Sequence, residues 1–188
     1  MRILVISGSI RAASFNYRLA TLAAHRLSAQ GANVTLLPRE QHVLPFMDQD
    51  LEIDGLPAPV RALRKVFAEH DALIIASPEY NGSITPLLKN LLDWVSRNDE
   101  AAPGVKPYQN KLAAILSASP GGLGGIRAHR HVRDILDSLG VAVVPPAVGI
   151  GKAMQAFDDE GALKDATQAA QIDGLLNKLQ EWSGRLKR

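Results

Sequence analysis

The chain contains no cysteine, which excludes disulfides, thiolate nucleophiles and cysteine-ligated metal or iron–sulfur sites. Aromatic residues make up only 5% of the 188 residues and the formal net charge is +2. The basic, aromatic-rich surface of a nucleic-acid-binding protein is therefore not expected. No apolar run approaches the roughly 20 residues that cross a bilayer, and two residues before the first expected strand are too few for the charged part of a signal peptide. We expect a soluble, cytoplasmic protein.

The residues that are present suit an ordinary globular fold. Hydrophobic residues account for 46% and charged residues for 21% of the chain, as in typical soluble domains. A chain of this length buries about 70% of the surface that it exposes when unfolded. We expect residues 1–188 to form one domain.

Apolar runs alternate with amphipathic segments along the chain. The apolar runs predict strands at 3–7, 33–37, 72–76, 112–116 and 141–144. The helical periodicity predicts helices at 14–30, 59–70, 85–96, 126–139 and 164–186. This order indicates an α/β protein with a parallel, doubly wound sheet and right-handed crossovers.

Three polar turns follow strands directly, at 8–16, 77–83 and 117–125. The carboxyl ends of parallel strands lie at one edge of a sheet, where such folds bind ligands. We expect the three turns to converge into one site.

The first turn fits a single phosphate better than a polyphosphate. It has neither the Gly-Lys of a phosphate loop nor the three glycines of a dinucleotide loop. It offers neutral donors, a cation and the free N–H groups of a helix start, a set that suits a phosphate monoester: Ser9, Arg11, Ser14 and Asn16. The alternative is that Ser14 only caps the helix and that Arg11 is solvated.

The second and third turns suit a flat, neutral ligand. Tyr80 is a planar amphipathic surface, Asn81-Gly82 allows a tight turn, and Glu79 would repel a phosphate. The glycines of the third turn let a ligand approach the backbone. The alternatives are an ordinary surface turn at 77–83 and a mobile connector at 117–125.

Two sequence motifs together resemble the NADPH-dependent FMN reductase family. They are Gly8-Ser9-x-Arg11-x-x-Ser14-x-Asn16, and Ser77-Pro78-Glu79-Tyr80-Asn81-Gly82-Ser83 followed by Leu88-Lys89-Asn90 and Asp93-Trp94. The family includes quinone, chromate and azo-dye reductases. The resemblance implies a flavodoxin-like, three-layer sandwich with helices on both faces of a five-stranded parallel sheet in the order 2-1-3-4-5.

The resemblance also implies FMN as cofactor and NADPH as co-substrate. FMN phosphate would bind at Ser9, Arg11, Ser14 and Asn16, and the flavin ring at Pro78, Glu79, Tyr80, Asn81, Gly82, Ser117, Ser119, Gly121 and Gly122. Hydride would pass from NADPH to flavin N5 and then to a small acceptor such as a quinone or free flavin, by a ping-pong route. The cofactor carries this chemistry, so no catalytic side chain and no metal is nominated.

Three further points stay open at this stage. A flavodoxin-like electron carrier without substrate turnover is the alternative function, and a regulatory module without flavin is a second. Basic residues cluster at 127–133 and in the tail 185–188. In the first cluster, Arg127 or Arg130 either contacts NADPH phosphates or belongs to a solvated or subunit-facing helix end. The resemblance implies a homodimer or homotetramer, in which the irregular segment 38–59, with Phe46 and Met47, helps to cover the flavin.

Overall fold

The computed structural model describes residues 1–186 of the chain, so the last two residues of the predicted basic tail, Lys187 and Arg188, lie outside the described part. The strands are β1 Arg2–Ser7, β2 Asn33–Leu36, β3 Ala72–Ala76, β4 Leu112–Ala118, β5 Ala142–Val143 and β6 Val148–Ile150. The helices are α1 Phe15–Ala29, α2 Ala58–Ala68, α3 Pro86–Ser96, α4 Ile126–Ser138, α5 Ala153–Ala156 and α6 Ala166–Leu186. Segment 38–59 holds two short 3-10 helices, Arg39–His42 and Gln49–Glu52.

The strands form one parallel sheet in the order β2-β1-β3-β4-β5, which confirms the predicted fold. The register pairs Ile3 with Ala72 and Leu73 with Ala113. Each crossover between neighbouring parallel strands contains a helix, as the geometry of parallel sheets requires.

The fifth strand position differs from the prediction. The single strand expected at 141–144 is only two residues long, and a second strand, β6, continues beside the far half of β4. Between them stands the dipeptide Pro145-Pro146, joined by a cis bond. Proline has no N–H to give to the ladder, so the strand breaks there and resumes at Val148. The short helix α5 was also not predicted.

Helices cover both faces of the sheet, because the strand side chains alternate between two cores. Ile3 and Val5 point into the core shared with α1 and α6. Leu4 and Ile6 point into the core shared with α2, α3 and α4. The arrangement is the predicted three-layer sandwich. No helix in residues 1–186 is long and apolar enough to cross a membrane.

Two helix starts position the functional edge. The hydroxyl of Ser14 caps α1 by accepting a hydrogen bond from the backbone N–H of Tyr17, and the hydroxyl of Thr85 caps α3 in the same way. Thr85 also donates to the Gly8 carbonyl over 2.7 Å. The start of α3 is thus tied to the turn that follows β1.

Candidate functional site

The three predicted turns meet at the carboxyl edge of the sheet. A buried serine lies at or next to the end of each of their strands: Ser7, Ser77 and Ser117. The Gly8 N–H donates to the Ala76 carbonyl over 2.8 Å, which draws the first turn against the second. A Cβ atom at Gly8 would lie 2.5 Å from the Ser77 hydroxyl oxygen, so this approach requires glycine.

The first turn presents several free donors. Ser9 and Ser14 are buried, and each hydroxyl accepts one backbone hydrogen bond, which leaves its proton free to donate. The backbone N–H groups of Phe15 and Asn16, in the first turn of α1, have no hydrogen-bond partner within residues 1–186. Arg11 is exposed and its guanidinium lies 5.8 Å from the centre of the Phe15 ring. Such a helix start binds anions well.

The Asn16 side chain also makes a tertiary contact that was not predicted from the sequence. Its side-chain amide donates to the Ala118 carbonyl over 2.8 Å and accepts from the Ala118 N–H over 2.9 Å. This pair of hydrogen bonds joins the start of α1 to the end of β4. The side-chain amide keeps one unused Nδ2–H, and the backbone N–H of Asn16 is also left without a partner among the described residues.

The second turn is a tight hairpin. Tyr80 and Ser83 exchange two backbone hydrogen bonds of 2.9 and 3.0 Å, and Asn81 and Gly82 between them have φ of 51° and 79°. Positive φ at both central positions is the reason for the Asn-Gly pair. The Tyr80 ring is half exposed at 53%. The N–H groups of Asn81 and Gly82 are unpaired among the described residues.

Glu79 is bound to Arg127 at the start of α4. The Arg127 Nε and Nη2 atoms both lie 2.5 Å from Glu79 Oε1, and the Arg127 backbone N–H donates to Oε2. These hydrogen bonds hold the pKa of the Glu79 carboxyl below its usual value. The charge that would oppose a phosphate is thus neutralised locally, and the second turn is clamped to α4.

Backbone hydrogen bonds fix the third turn to the segment after β6. The carbonyl of Gly121 accepts from the N–H of Lys152, and that of Ser119 from Ala153. Gly124 has φ of 65°, and a Cβ there would lie 2.7 Å from the Gly149 backbone. The turn is packed against the chain that leaves β6.

Two cavities that share lining residues lie at this edge. The first, about 170 Å³, is lined by Ser9, Arg11, Ser14, Phe15, Asn16, Pro78, Glu79, Tyr80, Ala118, Ser119 and Pro120. The second, about 420 Å³, is lined by Glu79, Asn81, Gly82, Ser119, Gly121, Gly122, Leu123, Gly125 and Arg127. They share Glu79 and Ser119. Together they contain every predicted site residue except Ser117, which lies buried beneath the third turn.

Sequence reasoning missed part of this lining. Phe15, Pro120 and Leu123 border the cavities, and an apolar residue inside a polar turn was the available signal for Phe15 and Leu123. A larger cavity of about 860 Å³ lies at the opposite edge of the sheet and contains none of the predicted residues. Its buried Arg64 is held there by the carbonyls of Val95 and Val105.

The chain matches a known family along most of its length. The family of NADPH-dependent FMN reductases matches residues 1–155. An NAD(P)H-dependent FMN reductase of Pseudomonas aeruginosa is 37% identical over 188 residues, which cover 100% of this chain and 97% of that protein. The chain belongs to the NADPH-dependent FMN reductase family. An NADPH:quinone oxidoreductase of Arabidopsis thaliana is 35% identical and covers 100% of this chain and 94% of its own length.

Solved structures agree with this membership. The NAD(P)H:acceptor oxidoreductase FerB from Paracoccus denitrificans superposes with a TM-score of 0.81 at 26% identity, over 98% of this chain and 97% of that one. A flavodoxin of Pseudomonas aeruginosa, at 18% identity and a TM-score of 0.55 over 100% of both chains, shares the fold. As a member of the reductase family, the protein is an oxidoreductase that uses FMN and NAD(P)H. The donor set of the first turn and the glycine-lined second cavity fit that cofactor.

Proposed function

We propose that the protein transfers two electrons from NAD(P)H to a small acceptor, a quinone or free flavin, by a ping-pong route at this edge of the sheet. The observation that carries the proposal is the pair of cavities that share Glu79 and Ser119, of which one is rich in donors and the other contains four glycines. FMN matches the two cavities, because it has a phosphate at one end and a planar ring at the other.

The donor-rich cavity is assigned to the phosphate. Ser9 and Ser14 supply hydroxyl donors, Phe15 and Asn16 supply backbone N–H groups, and Arg11 supplies the positive charge. Because Oδ1 and one Nδ2–H of Asn16 bind Ala118, we assign to the phosphate the backbone N–H of this residue and its second Nδ2–H. Charge-assisted hydrogen bonds of this kind are about twice as strong as neutral ones.

The second cavity is assigned to the ring. Glu79, Asn81 and Gly82 would border it on one side, with the free N–H groups of Asn81 and Gly82 facing polar atoms of the ring edge. Pro78 and Tyr80 would meet the ring from the first cavity. Ser119, Gly121 and Gly122 belong to the other side, and Ser117 would support that side from beneath the third turn. FMN, when bound, supplies the two-electron chemistry that links NAD(P)H oxidation to reduction of the acceptor.

The remaining interpretations concern the reductant, assembly and location. Arg127 is two-thirds exposed despite its ion pair with Glu79, so its free edge is available to a phosphate of NADPH. The relatives named as quinone reductases support turnover of a small acceptor over a carrier role. We also propose one FMN-binding domain over residues 1–188, a cytoplasmic location, and a homodimer or homotetramer that carries the exposed apolar segment 38–59 at its interface.

Anaerobic reduction tests the function directly. The purified protein is saturated with FMN, mixed with NADPH or with NADH, and the loss of oxidised-flavin absorbance is followed. The reduced protein is then mixed with a quinone, free FMN, an azo dye or ferric chelate. Reduction by a nicotinamide and reoxidation by the quinone in two separable steps are expected, with parallel-line kinetics in the steady state. A protein that binds FMN but is not reduced by either nicotinamide would be an electron carrier instead.

A further inference from the structure

A buried serine–histidine pair lies under the third turn, and the assignments above give the histidine no role. Ser117 is fully buried, and its hydroxyl oxygen lies 2.6 Å from His129 Nε2 and 2.5 Å from the Gly124 carbonyl oxygen. His129 stands in the first turn and a half of α4 and is half-buried. The sequence had suggested a solvated basic helix end for this stretch.

The two contacts of Ser117 determine where its hydroxyl proton points and which imidazole nitrogen of His129 carries a proton. A carbonyl oxygen can only accept, so the hydroxyl proton of Ser117 is donated to Gly124. His129 Nε2 must then be the donor to the Ser117 oxygen, which assigns the proton of the imidazole to Nε2. Burial lowers the pKa of His129 to about 4, so the ring is neutral at pH 7.

Backbone atoms of neighbouring glycines pack closely around the Ser117 hydroxyl. A Cβ at Gly125 would lie 3.2 Å from the Ser117 oxygen and one at Gly149 would lie 3.3 Å from it. The histidine is therefore the side chain that orients this hydroxyl, and the hydroxyl holds the carbonyl of Gly124. Gly124 in turn donates its N–H to Gly121, which lines the second cavity.

We propose that His129 is a positioning residue for the flavin site. Its Nε2–H orients the Ser117 hydroxyl so that it binds the Gly124 carbonyl, and this fixes the shape of the glycine turn 121–125. The same start of α4 binds the second turn through Arg127 and Glu79. His129 and Arg127 together set the spacing between the two turns that would enclose the ring. The inference rests on the proposed function only for the identity of the ligand.

Three histidine variants test the proposal. His129→Gln places an Nε2–H donor at the same number of bonds from the backbone, whereas His129→Leu removes the donor. His131→Leu is the matched control, because His131 lies on the same helix but contacts Ser83. Amide hydrogen exchange of residues 121–125 is measured without FMN, and FMN affinity is then measured by fluorescence quenching.

His129→Leu is expected to raise exchange in the turn and weaken FMN binding by about fivefold to tenfold, as loss of one buried hydrogen bond predicts. His129→Gln should stay within about twofold of the wild type, and His131→Leu should leave the turn unchanged. Equal damage from Gln and Leu, or no change in exchange with Leu, overturns the proposal.

A second pair of variants covers the case in which His129→Leu does not fold. Ser117→Ala removes the hydroxyl itself and should loosen the same amides by a similar factor. Unchanged exchange in Ser117→Ala refutes the role of the hydroxyl. If the wild type bound no FMN, the proposed function would fail, and the exchange data would still decide the positioning role.

Discussion

Arg11 is the residue on which the assignment of the phosphate end depends most. It is exposed and has no ion-pair partner within residues 1–186, so its charge is available to a ligand. Arg11→Gln is expected to raise the Kd for FMN by about 10-fold to 100-fold, since a hydrogen bond to a charged group contributes about 1.5–3 kcal/mol. The Kd for riboflavin, which lacks the phosphate, should not change.

The matched control for Arg11 is Arg130→Gln, on the exposed side of α4 and outside both cavities. Titrations of tryptophan or flavin fluorescence provide both constants. An equal loss of FMN and riboflavin affinity in Arg11→Gln would place the arginine elsewhere in the site. An equal loss of FMN affinity in Arg130→Gln would show that the effect of Arg11→Gln arises from general surface charge.

His129 also makes a prediction about acid stability. Burial is the main reason for its low pKa, Arg133 lowers that pKa further, and Glu79 opposes the shift. Between about pH 6.5 and 4 the unfolded chain binds a proton at this position and the folded protein does not. The free energy of unfolding therefore falls as the pH falls through this range, by about 2 kcal/mol once the exposed part of the ring is allowed for.

Urea unfolding at pH 7, 6, 5 and 4.5 measures this slope. His129→Gln cannot take up the proton, so its slope should be shallower by that amount. Some slope remains because burial also lowers the pKa of His42. Parallel slopes in the two proteins would show that His129 titrates alike in the folded and unfolded states.

At the scale of elements, Asn16 is the contact that joins α1 to β4. The residue is 3% exposed, and replacing it with alanine leaves the N–H and C=O of Ala118 without partners. We expect Asn16→Ala to lower the free energy of unfolding by about 2–4 kcal/mol in the FMN-free protein. Chemical denaturation measures this loss. A stable variant that only binds FMN more weakly would instead assign the side chain to the cofactor.

In helix α6, one substitution is expected to raise the free energy of unfolding. Gly174 lies in its interior with φ in the ordinary range, and a Cβ there would meet nothing within 4 Å. Gly174→Ala should stabilise the protein by about 0.5–1 kcal/mol, because alanine loses less backbone entropy on folding than glycine. Gly151→Ala is the contrast, since its Cβ would lie 2.4 Å from the Gly122 carbonyl oxygen. Thermal unfolding should give a higher midpoint than the wild type for Gly174→Ala and a lower midpoint for Gly151→Ala.

The whole molecule shows which parts of the structure a sequence pattern can predict. Strand β3 and the cap at Ser14 follow from local periodicity and local side-chain chemistry, and both were predicted where they occur. The sheet edge at which the turns meet follows from parallel topology. The link from Asn16 to Ala118 spans 102 residues, and the clamp from Glu79 to Arg127 spans 48. Neither leaves a periodic signal, because each depends on how two distant elements pack.

The segment 38–59 gives the last prediction, which concerns assembly. It is fixed to α3 by hydrogen bonds from Met47 N–H to Asn90 and from Trp94 Nε1–H to the Pro45 carbonyl. Met47 packs inward, yet Phe46 and Ile53 are each 80% exposed. Apolar side chains held outward on a fixed segment are typical of an interface. The segment also adjoins the first turn, 8–16, because the Arg39 guanidinium donates to the Ala12 carbonyl.

We therefore expect light scattering of the wild type to give a multiple of 20.2 kDa, and Phe46→Asp with Ile53→Asp to give the single-chain mass. FMN affinity should fall by a few-fold with dissociation, since the partner copy would cover the neighbouring cavity. Met154→Asp is the control, because Met154 is 75% exposed on α5, away from this segment. Its mass should match that of the wild type. A wild-type mass of one chain, or an oligomer that persists with both aspartates, would show that the exposed apolar residues of 38–59 do not form the subunit contact.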